Sequence, residues 1–198
     1  MKRHTIKKIC IYCGSSHDVS ETYAAAAAEF ARAAVGRGCG IVYGAGSRGL
    51  MGVVADAALG AGGHVTGVVP RQFEKEVVRD GLSETIFTDS MSERKRIMLE
   101  LSDAFAALPG GFGTLDEITE ALTLLQLGAI GKPCGFLDTG GYYGKFFEFL
   151  ENATAEKFIT PPHRDMALHS EDPNALLDML ENYRRPHEKL WWNESLKR

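Results

Sequence analysis

No stretch of this sequence stays apolar long enough to span a bilayer, and the apolar segment behind the basic start Met1-Lys2-Arg3-His4 is too short for a signal peptide. A soluble protein that stays in the cytoplasm, away from membranes, is the expectation. An excess of positive charge is missing as well. Twenty-two Lys and Arg face 26 Asp and Glu, for a net charge of −4 and a pI near 5.9, so nucleic acid is not an expected partner. Cysteine is sparse: the four are Cys10, Cys13, Cys39 and Cys134. Cys10 and Cys13 have the C-x-x-C spacing of a redox pair or half a zinc site, but no second such pair accompanies them. They lie in the apolar run Ile9 to Cys13, which reads as a strand, and residues three apart on a strand face opposite ways. Small buried hydrophobes are the better reading, and neither a metal nor another cofactor is expected.

What is present is ordinary globular composition: 198 residues, 44% hydrophobic and 24% charged, enough to bury a sizeable core as one domain spanning 1–198, with 184–198 as a C-terminal tail. Apolar runs at Ile6–Cys13, Cys39–Tyr43, His64–Val69, Thr85–Thr88, Asp103–Leu108 and Pro133–Leu137 read as strands, the third stopped by Pro70. Helical patterns fall at Glu21–Val35, Leu50–Leu59, Ser92–Leu101, Leu115–Leu127, Tyr142–Asn152 and Asn174–Tyr183. The alternation predicts an α/β fold, a Rossmann-like open parallel sheet with helices on both faces. In such sheets ligands bind at the carboxyl ends of the strands, and glycine-rich turns fall there after Cys13, Tyr43 and Leu108.

Gly44-x-Gly46-x-x-Gly49 matches the dinucleotide fingerprint, but the strand ending Val68-Val69-Pro70 lacks the acid that would hold the ribose of NAD. Tight packing and direct ligand contact remain equally open for that turn. The turn Pro109-Gly110-Gly111-Phe112-Gly113-Thr114 says more: its backbone N–H groups can turn inward at a helix start, where phosphate is well received. It is not a P-loop, because no Gly-Lys-Ser/Thr follows. Asp116 and Glu117 are expected in that helix's first turn. They can simply complement the helix dipole, but two carboxylates beside a phosphate would repel it, so at least one should point elsewhere, for instance at the ribose. The run Ser92-Glu93-Arg94-Lys95-Arg96 is either a solvated helix face or a helix start aimed at the same sheet edge.

Pro109 to Glu117 resembles the P-G-G-x-G-T-x-x-E signature of the LOG family of cytokinin riboside 5′-monophosphate phosphoribohydrolases, often mislabelled lysine decarboxylases. Cys13-Gly14-Ser15-Ser16, Tyr43-Gly44-Ala45-Gly46 with Gly49-Leu50-Met51-Gly52, and Ser92-Glu93-Arg94-Lys95 with Met98 resemble its other motifs, so the likeness runs from about Ile9 to Leu137. Ala45 replaces a common glycine, Ser92 a common His and Phe112 a common Tyr. The resemblance implies hydrolysis of a purine nucleoside 5′-monophosphate, AMP or an N6-modified AMP, to free base and ribose 5-phosphate. It makes Arg94 and Glu117 the catalytic pair. Substrate contacts would come from Ser15 and Gly46, from the third turn (Gly110, Gly111, Phe112, Gly113, Thr114, Leu115, Asp116 and Glu117), and from Glu76, Lys95 and Thr123, beside Arg94 itself. It also implies a homodimer with active sites near the interface. Competing readings are a non-catalytic nucleotide carrier on the same fold, an NAD oxidoreductase, and a decarboxylase using a lysine Schiff base. For the last, Lys95 sits in a charge run and Lys132 beside Pro133, neither in a recognisable cofactor setting.

Overall fold

Short runs such as Ile9-Cys10-Ile11-Tyr12 place β-branched and aromatic side chains alternately on two sheet faces, and both faces are covered. The structure is a computed structural model in which residues 5–73 and 78–186 are described. Seven strands form one sheet: β1 (Lys8–Tyr12), β2 (Gly40–Tyr43), β3 (Val65–Pro70), β4 (Glu84–Thr88), β5 (Ala104–Ala107), β6 (Cys134–Leu137) and β7 (Ala167–Ser170). Their order is β4-β3-β2-β1-β5-β6-β7, and every pairing is parallel. The helices are α1 (Glu21–Gly36), α2 (Gly49–Gly60), α3 (Met91–Leu101), α4 (Phe112–Leu127), α5 (Gly144–Ala155), the single turn α6 (Pro161–Arg164) and α7 (Pro173–Asn182).

Phe30 of α1, Val54 of α2 and Leu176 of α7 pack with Ile9, Ile11 and Tyr43 on one face; Met98 of α3, Ile118 of α4 and Phe147 of α5 pack with Tyr12, Val42 and Phe105 on the other. The expected open parallel sheet with helices on both faces is what forms. Each fully buried large apolar side chain contributes about 1.5–3 kcal/mol relative to exposure. Cys13 belongs to the first core and Cys10 to the second, so the C-x-x-C pair straddles the sheet; all four cysteines are free and buried.

Three local expectations are corrected. Pro70 does not stop β3 but ends it, in register with Thr88. β7 and α6 were not anticipated: Ala-Leu-His-Ser is a short edge strand with one buried residue and no apolar run. And α4 begins at Phe112, three residues before the apolar periodicity starts, so its first turn holds no acid. Among the described residues no helix is long and apolar enough to cross a membrane.

The chain runs outward from β1 through β2, β3 and β4, then returns to β5 on the other side of β1. This reversal opens a crevice between β1 and β5 at their carboxyl ends. The Gly14 N–H donates to the Pro109 carbonyl across its floor (3.0 Å), and the Leu50 N–H donates to Gly14 O (3.0 Å), so all three glycine-rich turns are tied together there.

Candidate active site

A cavity of about 340 Å³ fills the crevice. Its walls come from the first turn (Gly14, Ser15, Ser16), from Gly44 and Met51, from Met91 and Arg94 of α3, and from Gly111 to Thr114, Asp116 and Glu117 of α4.

Helix α3 enters the site through its cap. The Ser90 side chain accepts the Glu93 N–H (3.1 Å), and the Glu93 carboxylate accepts the Asp89 N–H (2.8 Å), a near capping box that fixes where the helix starts. One residue later Arg94 turns inward and is 8% exposed. Its Nε donates to the Val68 carbonyl (3.0 Å) and its Nη1 donates to Glu117 Oε1 in a short ion pair. The guanidinium reaches that position through space that only a glycine leaves: a Cβ on Gly44 would overlap the Arg94 guanidinium and come within 2.5 Å of the Met51 methyl. The charge run is thus neither wholly solvated nor wholly buried.

Helix α4 brings both the cavity floor and the carboxylate. Its N-cap is Gly111, with no side chain to cap the first turn. The first N–H after the cap with a helical acceptor is that of Leu115, bonded to Gly111 O (3.0 Å). The preceding N–H groups of Gly111, Phe112, Gly113 and Thr114 have no acceptor among the described residues, and they border the cavity. Apart from chain neighbours and the helix's own backbone, no atom of the described residues lies within 4 Å of where a Cβ on Gly111 or Gly113 would stand, so packing does not require glycine there. Open space above unpaired donors at a helix start suits an anion.

The adjacent carboxylates Asp116 and Glu117 of α4 diverge. Glu117 is 9% exposed and faces Arg94; Asp116 turns outward to Lys95 (3.0 Å), which also pairs with Glu120 (3.1 Å). Burial pushes the Glu117 carboxyl above its ordinary value, and Arg94 pulls it back without cancelling the effect. Partial burial opposes the Lys95 ammonium, but hydrogen bonds and charge from Asp116 and Glu120 outweigh it, so its pKa is raised.

Of the residues singled out from sequence, the cavity gathers Ser15, Arg94, Gly111, Phe112, Gly113, Thr114, Asp116 and Glu117. Lys95 and Thr123 lie instead on an adjoining open groove along α3 and α4, shared with Asp116. The Thr123 hydroxyl donates to Thr119 O (2.8 Å). Gly46 is buried behind the cavity, bridged to Val78; Leu115 packs into the core; and Gly110 turns its carbonyl away toward Tyr142. Glu76 and the tail with Trp191 and Trp192 lie outside the described residues. Met51, Met91 and Tyr12 line the cavity without having been singled out, because apolar residues at such places carry the same signal as core. No lysine lines the cavity among the described residues, and Lys132 is bonded to the Leu99 carbonyl (2.6 Å) on the outside of α3. Neither lysine weighed for a Schiff base faces the site.

Residues 51–180 match the model of a family described as possible lysine decarboxylase. A rice (Oryza sativa subsp. japonica) protein named probable cytokinin riboside 5′-monophosphate phosphoribohydrolase LOGL9 is 43% identical over 178 residues, covering 89% of this chain and 78% of its own. An Arabidopsis thaliana protein named cytokinin riboside 5′-monophosphate phosphoribohydrolase LOG5 is 41% identical over 179 residues, 90% of this chain and 78% of its own. Among solved structures, a molybdenum cofactor binding protein from Rippkaea orientalis superposes with a TM-score of 0.67 at 19% identity, covering 88% of this chain and 95% of its own. The molybdenum cofactor carrier protein from Chlamydomonas reinhardtii gives 0.67 at 22%, covering 89% and 98%. At those identities the structures share the fold alone.

Proposed function

The chain belongs to the LOG family, and from that membership we propose that it hydrolyses the N-glycosidic bond of a purine nucleoside 5′-monophosphate, AMP or an N6-modified AMP, releasing free base and ribose 5-phosphate. The observation that carries the reading is one cavity in which an uncapped, glycine-opened helix start faces a buried Arg94–Glu117 pair.

The 5′-phosphate sits on the N–H groups of Gly111 to Thr114, with hydroxyls from Ser15 and Thr114 beside it. The reacting carbon C1′ then lies toward Glu117. As the bond from C1′ to the base nitrogen breaks, its electron pair leaves with the base and positive charge builds on the ribose. Ionised Glu117 stabilises that charge and takes a proton from the water whose oxygen bonds to C1′; the electron pair left on the base nitrogen takes up a proton from solvent, and Glu117 returns its own to solvent. Arg94 keeps the carboxylate ionised against its burial and holds it in place through a fork anchored on Val68 O. Phosphate binding, remote from the bond that breaks, orients C1′. Contacts from Lys95, Glu76 and Thr123 belong to the same proposal, as do a cytoplasmic site of action, a small-molecule substrate rather than nucleic acid, and a homodimer. The open groove that holds Lys95 and Thr123 supports the last, since one chain does not enclose it.

The test is incubation of the purified protein with AMP and with isopentenyl-AMP, followed by chromatography for free base and ribose 5-phosphate. Release from either substrate, lost in Glu117→Gln and Arg94→Ala, supports the assignment. Tight nucleotide binding without release overturns it in favour of a carrier.

A further inference from the structure

Behind the phosphate-type turn, outside the cavity, stand two consecutive tyrosines. Tyr143 is nearly buried: its N–H donates to the Asp138 carboxylate (2.6 Å), its ring packs edge-on to Phe136, and its hydroxyl donates to the Leu108 carbonyl (2.6 Å). Tyr142 is 42% exposed, its ring held edge-on between Tyr143 (5.0 Å) and Tyr23 of α1 (5.6 Å), and its hydroxyl donates to the Gly110 carbonyl (2.8 Å).

The two bonds have different consequences. In a trans peptide the C=O and N–H of one unit point in opposite directions. The Gly110 carbonyl shares its peptide plane with the Gly111 N–H. Drawing that carbonyl out to Tyr142 turns the N–H the other way, toward the cavity that Gly111 lines. Glycine on both sides leaves this plane little steric preference of its own, so an external hold decides its orientation. The Leu108 carbonyl shares its plane with the nitrogen of Pro109, which has no hydrogen to aim. Tyr143 therefore fastens the turn, whereas Tyr142 orients a donor.

We propose that Tyr142 is a positioning residue for phosphate recognition: its hydroxyl fixes the Gly110–Gly111 peptide so that the Gly111 N–H stays turned toward the 5′-phosphate. The inference rests on the reading that this turn takes the phosphate of a nucleoside monophosphate. With the other donors of the turn still holding the phosphate and orienting C1′, losing the alignment of one donor that is used equally in substrate and transition state affects mainly KM.

The experiment compares wild type, Tyr142→Phe and Tyr143→Phe. It measures ribose 5-phosphate affinity by calorimetry, KM and kcat on whichever of AMP and isopentenyl-AMP the wild type hydrolyses, and Tm. Misaligning one charge-assisted hydrogen bond corresponds to about five- to tenfold in affinity. Tyr142→Phe should weaken ribose 5-phosphate by that factor, raise KM in parallel, and leave kcat and Tm near wild type. Tyr143→Phe should lower Tm with ribose 5-phosphate affinity close to wild type. If wild type binds ribose 5-phosphate and Tyr142→Phe binds it equally well, the positioning role is overturned while the phosphate reading stands. Equal losses in the two variants also overturn it, because they would mean general loosening of the turn. If wild type neither binds ribose 5-phosphate nor prefers AMP to adenosine, the phosphate reading falls and takes the positioning role with it.

Discussion

Replacing Gly44 by Ala adds one methyl group and changes no group proposed to touch substrate chemistry, yet it should disable the site. The new Cβ overlaps the Arg94 guanidinium and lies 2.5 Å from the Met51 methyl. Met51 is flexible at its end and can withdraw. Arg94 cannot easily do so, because its Nε is bonded to Val68 O and its Nη1 to Glu117. Overpacking of this kind costs about 1–3 kcal/mol. If Arg94 swings out, Glu117 is left buried without its cation, and breaking such a pair costs about 3–5 kcal/mol. For a chain of this length each kcal/mol lowers Tm by about 2–4 °C. Loss of the oriented ion pair should reduce kcat by about a hundredfold or more. The assay is release of base from the nucleotide together with a thermal melt. A second variant, Gly44→Ala with Met51→Ala, separates the two contacts by removing the thioether and leaving Arg94 crowded. Wild-type turnover in Gly44→Ala, or its full recovery in the double variant, would refute the argument that Gly44 is a slot for Arg94.

Glu117→Gln keeps the shape and an acceptor for Arg94 but loses the charge; kcat should fall by about 10²–10⁴-fold with KM little changed, and retention of wild-type turnover would remove the carboxylate from the mechanism. Because the proposed mechanism needs Glu117 ionised and burial raises its pKa above its ordinary value, kcat/KM should fall as pH is lowered through a midpoint above that of an ordinary glutamate. A pH–rate profile that stays flat down to the usual carboxylate range would contradict this sign. Asp116→Asn weakens a partly exposed pair with Lys95, which keeps its second partner Glu120, a change worth about 0.2–1 kcal/mol, so kcat should drop far less than in Glu117→Gln; equal losses would show that Asp116, which also borders the cavity, takes part in the chemistry. Burial raises the thiol pKa of all four cysteines, so a thiol reagent should titrate none rapidly in the native protein and four after denaturation, even though Cys13 borders the cavity.

Much of this arrangement could be read from residue order because the sheet is buried on both faces. Continuous apolar runs reveal β1, β2, β3, β5 and β6, and their alternation with helices dictates parallel pairing. β7 was invisible for the complementary reason: an edge strand of four residues with a His in it needs no apolar signature. The start of α4 was hidden by composition. Gly113 and Thr114 are poor helix formers and Phe112 is 95% exposed, so periodicity begins only at Leu115, although the backbone is already helical. That displacement moves Glu117 from the first turn to the second, and with it the dipole explanation for its presence lapses. The sequence-based expectation that at least one of the adjacent carboxylates points away from a phosphate concerns a ligand, whereas in the fold Glu117 pairs with Arg94, Asp116 pairs with Lys95, and both border the cavity. Met51 entered only as part of a motif, with no role of its own, and Met91 and the Tyr142 contact were beyond sequence reasoning, since their places depend on how separate elements meet.

The unpaired amides and the Glu117 carboxylate stand on a single rigid rod. At 1.5 Å per residue, Phe112 and Glu117 are about 7.5 Å apart along its axis, a separation that no loop motion or domain hinge can alter. Under the proposed reading helix α4 would work as a ruler: a ligand seated by its anionic end on the first turn would present to Glu117 the atom lying one set length away. A chain of two or three phosphates would carry the ribose beyond that mark, and a nucleoside without phosphate has nothing to place at the zero. On the proposed seating of the phosphate, a preference for a single phosphate follows from helical rise, and a one-residue insertion or deletion between Thr114 and Glu117 would both change that length and rotate the carboxylate off the cavity by about 100°.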